Sequence, residues 1–76
     1  PFNPSTTISY FLSVSGRVIV TVYDILGRRV AALLEGFQDA GFHSVSFQPE
    51  NLPSGVYVVR LTARSFTTTT KIIYSK

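Results

Sequence analysis

Residues 29–35 read RVAALLE, and how they fold decides the class of the molecule. Ala and Leu are good helix formers, so a helix here would make the chain a mixed α and β domain. Yet only seven residues stand between two turn signals, DILGR at 24–28 and GFQDAG at 36–41. A helix that short does not offset its own nucleation cost. The stretch is therefore predicted to be a strand, and with it the whole chain to be all-β.

Both flanks support this. In DILGR the Asp24 side chain can bond the backbone ahead of it, and Gly27 can take a positive φ without strain. GFQDAG is predicted to be a loop. Upstream, Val18, Val20 and Val22 alternate as the inward face of a strand, residues 13–16 turn the chain, and Ile8, Tyr10 and Leu12 share one face opposite Thr7 and Ser9. Downstream, His43, Val45 and Phe47 alternate with Phe42, Ser44 and Ser46. QPENLPSG at 48–55 is a turn-rich connection, and residues 52–55 fit a type I turn with Pro at its second position and Gly at its fourth. VYVVRLTA then places Tyr57, Val59 and Leu61 on one face and Val58, Arg60 and Thr62 on the other, residues 63–65 turn, and FTTTTKIIY forms the last strand. Four consecutive threonines have high β propensity and are no sign of disorder.

Six strands result, or seven if a long one splits, with turn chemistry between them: an antiparallel β-sandwich. Its predicted core is Val18, Val20, Val22, Val45, Phe47, Tyr57, Val59 and Leu61. Gly55-Val56-Tyr57 enters its strand as G-x-Y, the pattern of the tyrosine corner in immunoglobulin-like folds, where the hydroxyl bonds a nearby backbone group. A plain core aromatic explains Tyr57 equally well.

Length and composition bound the rest. Seventy-six residues make one domain, and a chain this short buries only about 60% of its unfolded surface. With no cysteine there is no disulfide framework, although this does not fix the compartment. The core must come from the 45% of residues that are hydrophobic, and 14% charged residues argue against disorder. No apolar run approaches membrane-spanning length, and the start lacks the pattern of a signal peptide. The net charge of +3 is spread over Arg17, Arg28, Arg29, Arg60, Arg64, Lys71 and Lys76. Nucleic-acid binders concentrate such charge on one face with stacking aromatics, so it reads as solubility and no nucleic-acid partner is expected.

Catalytic patterns are missing from the sequence. His43 is the single histidine and shares a strand face with Val45 and Phe47, the setting of a packing residue. Asp24, Asp39 and Glu50 fall in expected turns or loops without E-x-x-E or D-x-D spacing, and the glycines are isolated turn residues. No enzyme, metal site or cofactor is expected, and Asn3-Pro4-Ser5 fails as a glycosylation site because proline is in the middle. Phe37 and Phe42 beside a loop, with Phe11 and Phe66 pointing outward from strands, would suit sugar stacking in a carbohydrate-binding module. Core and loop anchoring is the preferred reading, since tryptophan is absent.

Three stretches together resemble one family. PFNPSTTISY, with Asn3 and Pro4, resembles the N-P-x-N-P-S-T-T-I signature that opens the C-terminal sorting domain of the type IX (Por) secretion system of Bacteroidota and related bacteria. VYDILGRRV, with Tyr23, Asp24, Gly27 and Arg28, resembles its central V-Y-D-x-x-G-R-x-V motif. LPSGVYVVRLTA, with Gly55, Tyr57 and Arg60, resembles the closing L-x-x-G-x-Y-x-x-R-L motif, and Lys71 with a short apolar ending follows. The order and spacing match over nearly the whole chain, and only the first Asn of the opening signature is missing. The resemblance implies an immunoglobulin-like sandwich at the end of a larger secreted protein. There it serves as an address for an upstream cargo domain. The outer-membrane translocon would recognise it from the periplasm, and a sortase-like peptidase would remove it. The cargo would then reach the outer-membrane surface or the extracellular space. Gly55, Tyr57, Arg60 and Lys71 are the residues expected to matter most, the first two through the fold. Similar sequences occur in the immunoglobulin-like part of flagellar hook-capping proteins, which makes a structural module the alternative.

Overall fold

The computed structural model describes residues 6–49, 51–64 and 66–75. Among these residues it is all-β, 72% strand, with six strands: β1 (Thr6–Leu12), β2 (Gly16–Asp24), β3 (Arg29–Gln38), β4 (Gly41–Phe47), β5 (Gly55–Thr62) and β6 (Thr67–Tyr74). All pairings are antiparallel. They make a two-stranded sheet, β1-β4, and a four-stranded sheet in the order β3-β2-β5-β6. The arrangement is consistent with an immunoglobulin-like sandwich.

The core lies where the alternation put it. Val18, Val20 and Val22 are fully enclosed, and Tyr57, Val59, Leu61 and Phe47 are nearly so. Val45 is only half-buried against this cluster. Leu12 and Tyr74 complete the core, although the sequence reading did not include them. Leu12 and Phe47 come from the two-stranded sheet and the valines from the larger one, so the cluster joins the two layers. A second tie is the Tyr10 hydroxyl, which donates to Gln38 Oε1 at 2.6 Å and so links β1 to the end of β3.

RVAALLE is a strand, as its length requires, but an irregular one. The register of β2 against β3 shifts between Val20 and Thr21 and again between Val22 and Tyr23. Leu33 and Val30 are thereby left without a direct partner, as at β-bulges. Each shift puts two neighbours on the same side, so Val30 with Ala31 and Leu33 with Leu34 are half-buried pairs. Two bulges three residues apart thus imitate the apolar spacing of a helix.

Two expectations are corrected. The predicted loop at 36–41 shrinks to residues 39 and 40, because Gly36, Phe37 and Gln38 continue β3 against Val18, Arg17 and Gly16. The cause is pairing: β2 extends far enough to hold them in register. Phe66 does not point outward from a strand. It precedes β6 and is half-buried against the core, where the Ala63 amide donates to its carbonyl at 2.8 Å. Phe11, Phe37 and Phe42 are exposed.

Candidate recognition surface

Of the candidate residues, Tyr23, Asp24, Gly27 and Arg28 meet Gly55 and Tyr57 at one end of the four-stranded sheet. The β2–β3 turn is the most tightly specified. Asp24 Oδ1 accepts hydrogen bonds from the Leu26 and Arg28 amides, both at 2.9 Å, and its Oδ2 accepts one from Arg28 Nε at 2.8 Å. The Asp24 amide donates to the Arg28 carbonyl and the Gly27 amide to the Asp24 carbonyl. Gly27 has φ +85°, the left-handed region that favours glycine. The Arg28 amide, with the desolvating surroundings opposing it, holds the Asp24 carboxyl below its ordinary pKa, helped by the Arg28 side chain and the Leu26 amide.

Tyr57 lies opposite Asp24 in the β2–β5 pairing, which brings the second group to the same place. Its ring is in the core and its hydroxyl donates to the Pro53 carbonyl at 2.6 Å. Both readings of the G-x-Y pattern therefore hold at once: Tyr57 is a core aromatic and a corner that ties the 48–55 connection to β5. Its ring meets Tyr74 edge-on at a centroid distance of 6.4 Å. Gly55 differs from Gly27. It opens β5, its φ lies outside the left-handed region, and an added Cβ would meet nothing within 4 Å. No left-handed backbone conformation therefore requires glycine at 55.

Two shallow hollows flank the turn. One of about 320 Å³ lies between residues 24–28 and residues 53–57, lined by Asp24, Ile25, Leu26, Arg28, Pro53, Gly55 and Tyr57 among others. The other, of about 390 Å³, opens on the outer face of the sheet and is lined by Tyr23, Asp24, Ile25, Gly27, Val58, Arg60 and Thr69. Hydrogen bonding from the Thr21 side chain lowers the pKa of the Tyr23 hydroxyl, with Arg60 and Arg29 acting in the same direction against partial desolvation. Lys71 stands apart from both hollows. On β6 it is exposed and pairs with Val58 of β5, which in turn lies opposite Tyr23 of β2. Asn3 and Pro4 lie outside the described residues.

Ile25 and Leu26, each 73% exposed at the tip of the turn, are the surface features that sequence reasoning missed. Their signal was present: apolar residues between Asp24 and Gly27 in a tight turn have no core within reach.

His43 is half-buried, stacked on Tyr10 with ring centroids 5.6 Å apart, and its Nε2 is hydrogen-bonded to the Asp39 carbonyl at 2.6 Å. Among the described residues no group of three or more His, Cys, Asp or Glu is placed to hold a metal ion, and no helix is long and apolar enough to cross a membrane.

The family model described as "Secretion system C-terminal sorting domain" matches residues 1–75. The chain belongs to that family. It is thus a type IX secretion sorting domain, and export to the cell surface or beyond is what such domains serve. The family is one of sorting signals and not a known catalytic one. No curated protein and no solved structure matches the sorting domain in the corresponding comparisons.

Proposed function

We propose that this sorting domain is a non-catalytic address that ends a larger secreted protein and directs an upstream cargo to the type IX translocon. The match to the sorting-domain family over residues 1–75 carries this reading. Cargo and domain reach the periplasm together, and the translocon engages the folded sandwich. A sortase-like peptidase then separates the two, leaving the cargo on the outer-membrane surface or outside the cell. The chain's own part is to hold a surface in place. Asp24 and Gly27 set the β2–β3 turn, Tyr57 fixes the connection beside it, and Arg60 and Lys71 offer exposed cations on the outer face of β5 and β6.

The test is a fusion of a signal peptide, a periplasm-stable reporter, a linker and residues 1–76 in a bacterium with this secretion system. The intact fusion should release reporter outside the cell, and deletion from Phe66 onward should leave it in the periplasm. If the intact fusion stays in the periplasm while an authentic sorting domain exports the same reporter, the structural-module alternative takes its place.

A further inference from the structure

The two edges of the four-stranded sheet are unlike each other. β3 carries both register shifts, which spoil an edge as a template, and it contacts β4. β6 is regular. It pairs with β5 without interruption from Thr67 to Tyr74, and among the described residues it contacts no element other than β5. It contains no proline and one charged residue, Lys71. In an antiparallel edge strand every second residue turns its N–H and C=O away from the neighbour, so one side of β6 presents a row of backbone groups.

Exposure shows that this edge also overhangs the smaller sheet. Thr68 and Thr70 lie opposite Leu61 and Val59, on the core-facing side, yet both are exposed. On the other side Thr69, Lys71 and Ile73 are exposed too. From Thr67 to Lys71 both faces beside the free edge are thus open, while Ile72 and Tyr74 pack on the core.

We propose that the free edge of β6 takes an extended, acidic segment of a partner protein as a further strand of the sheet. This rests on reading β6 as part of the sorting domain's recognition surface, and it assigns that surface a binding mode. Main-chain hydrogen bonds supply affinity in strand addition and side chains at alternate positions supply selectivity. The selectivity here is electrostatic. Lys71 and Arg60 share the outer face on adjacent strands in a diagonal relation, because Arg60 pairs with Thr69. Such diagonal neighbours lie about 7–8 Å apart, and neither has an ion-pair partner among the described residues. An added strand would set an acidic side chain beside Lys71. The same charges disfavour a second copy of this chain. Nearly complete antiparallel registers that keep both outer faces on one side put Lys71 opposite or diagonal to its own copy, where like charges repel.

The test uses the whole 76-residue chain, isotopically labelled, with a short synthetic peptide of alternating threonine and valine bearing glutamates on one face. Titration should shift and protect alternate amides of β6, those not bonded to β5, and leave β3 unchanged. Lys71→Glu should weaken this peptide about fivefold, and a lysine-bearing peptide should regain the loss with that variant. The proposal is overturned if no β6 amide responds, or if acidic and basic peptides bind alike. It is also overturned if β6 amides shift with chain concentration alone, which would make a second copy the occupant. The fusion reporter separates this from the sorting role. A Lys71→Glu chain that exports normally although its pairing with the acidic peptide is weakened rejects strand docking as the recognition step and leaves sorting intact. A chain that pairs as described but never exports rejects the sorting role alone.

Discussion

Gly27 and Gly55 occupy matching places in their motifs but carry different physical demands. Gly27 has φ +85° with open space around it, so an alanine there pays only in backbone strain. Gly27→Ala should cost about 1–2 kcal/mol, whereas Gly55→Ala should stay within about 0.5 kcal/mol. Urea unfolding of the two variants measures the contrast. Tyr57→Phe keeps the ring in the core but leaves the Pro53 carbonyl without its donor, a loss of about 1 kcal/mol in the same experiment. Asp24 gives the pH dependence. Its folded carboxyl titrates below its ordinary value, chiefly because the Arg28 amide bonds the charged form. The stability it contributes is present above the unfolded pKa of about 3.9 and is lost as pH falls through the lower folded value. The melting temperature of the native chain should therefore fall more steeply over that acidic window than that of Asp24→Asn. At this scale the sequence was legible wherever one residue type answers one local need. Asp24, Gly27 and Tyr57 could be read in that way, and the glycine at 55 could not, because its φ lies in a region open to any residue.

At the scale of elements, alternation predicted four strands well because each has one face on the core and one toward solvent, while β6 was legible from the β propensity of its threonines. β3 was legible in type but not in extent. Its bulges break the two-residue period, and its continuation through Gly36 to Gln38 depends on pairing with β2, which is not written in those residues. Strand position also sets local stability. β2 is paired on both sides and holds the most enclosed side chains, while β6 is paired on one. Hydrogen exchange should find the slowest amides in β2 and, in the free chain, fast alternate amides along β6. Uniformly slow exchange along β6 would show that its edge is covered.

For the whole molecule, the core was legible because nearly every alternating apolar face proved to be the buried one. The division into two sheets was not, since alternation says which face is buried but not which strands are neighbours. The surface was legible only through resemblance: Asp24 and Tyr57 are far apart in sequence and meet because β2 pairs with β5. Ile25 and Leu26 escaped notice because apolar residues are read as core by default. The central claim is that the fold itself is the address. A chain of this size has roughly 4–11 kcal/mol of stability, and Leu61→Ala in the core should remove about 2–5 kcal/mol of it. A charge at the fully enclosed Val20 leaves little or none, while every motif residue stays in place. The most direct measurement is therefore the exported fraction of reporter fused to the Val20→Asp chain, with intact periplasmic reporter quantified beside it. The account predicts that the reporter accumulates whole in the periplasm and does not leave the cell. Export equal to that of the native fusion, from a chain shown to be unfolded, would contradict it.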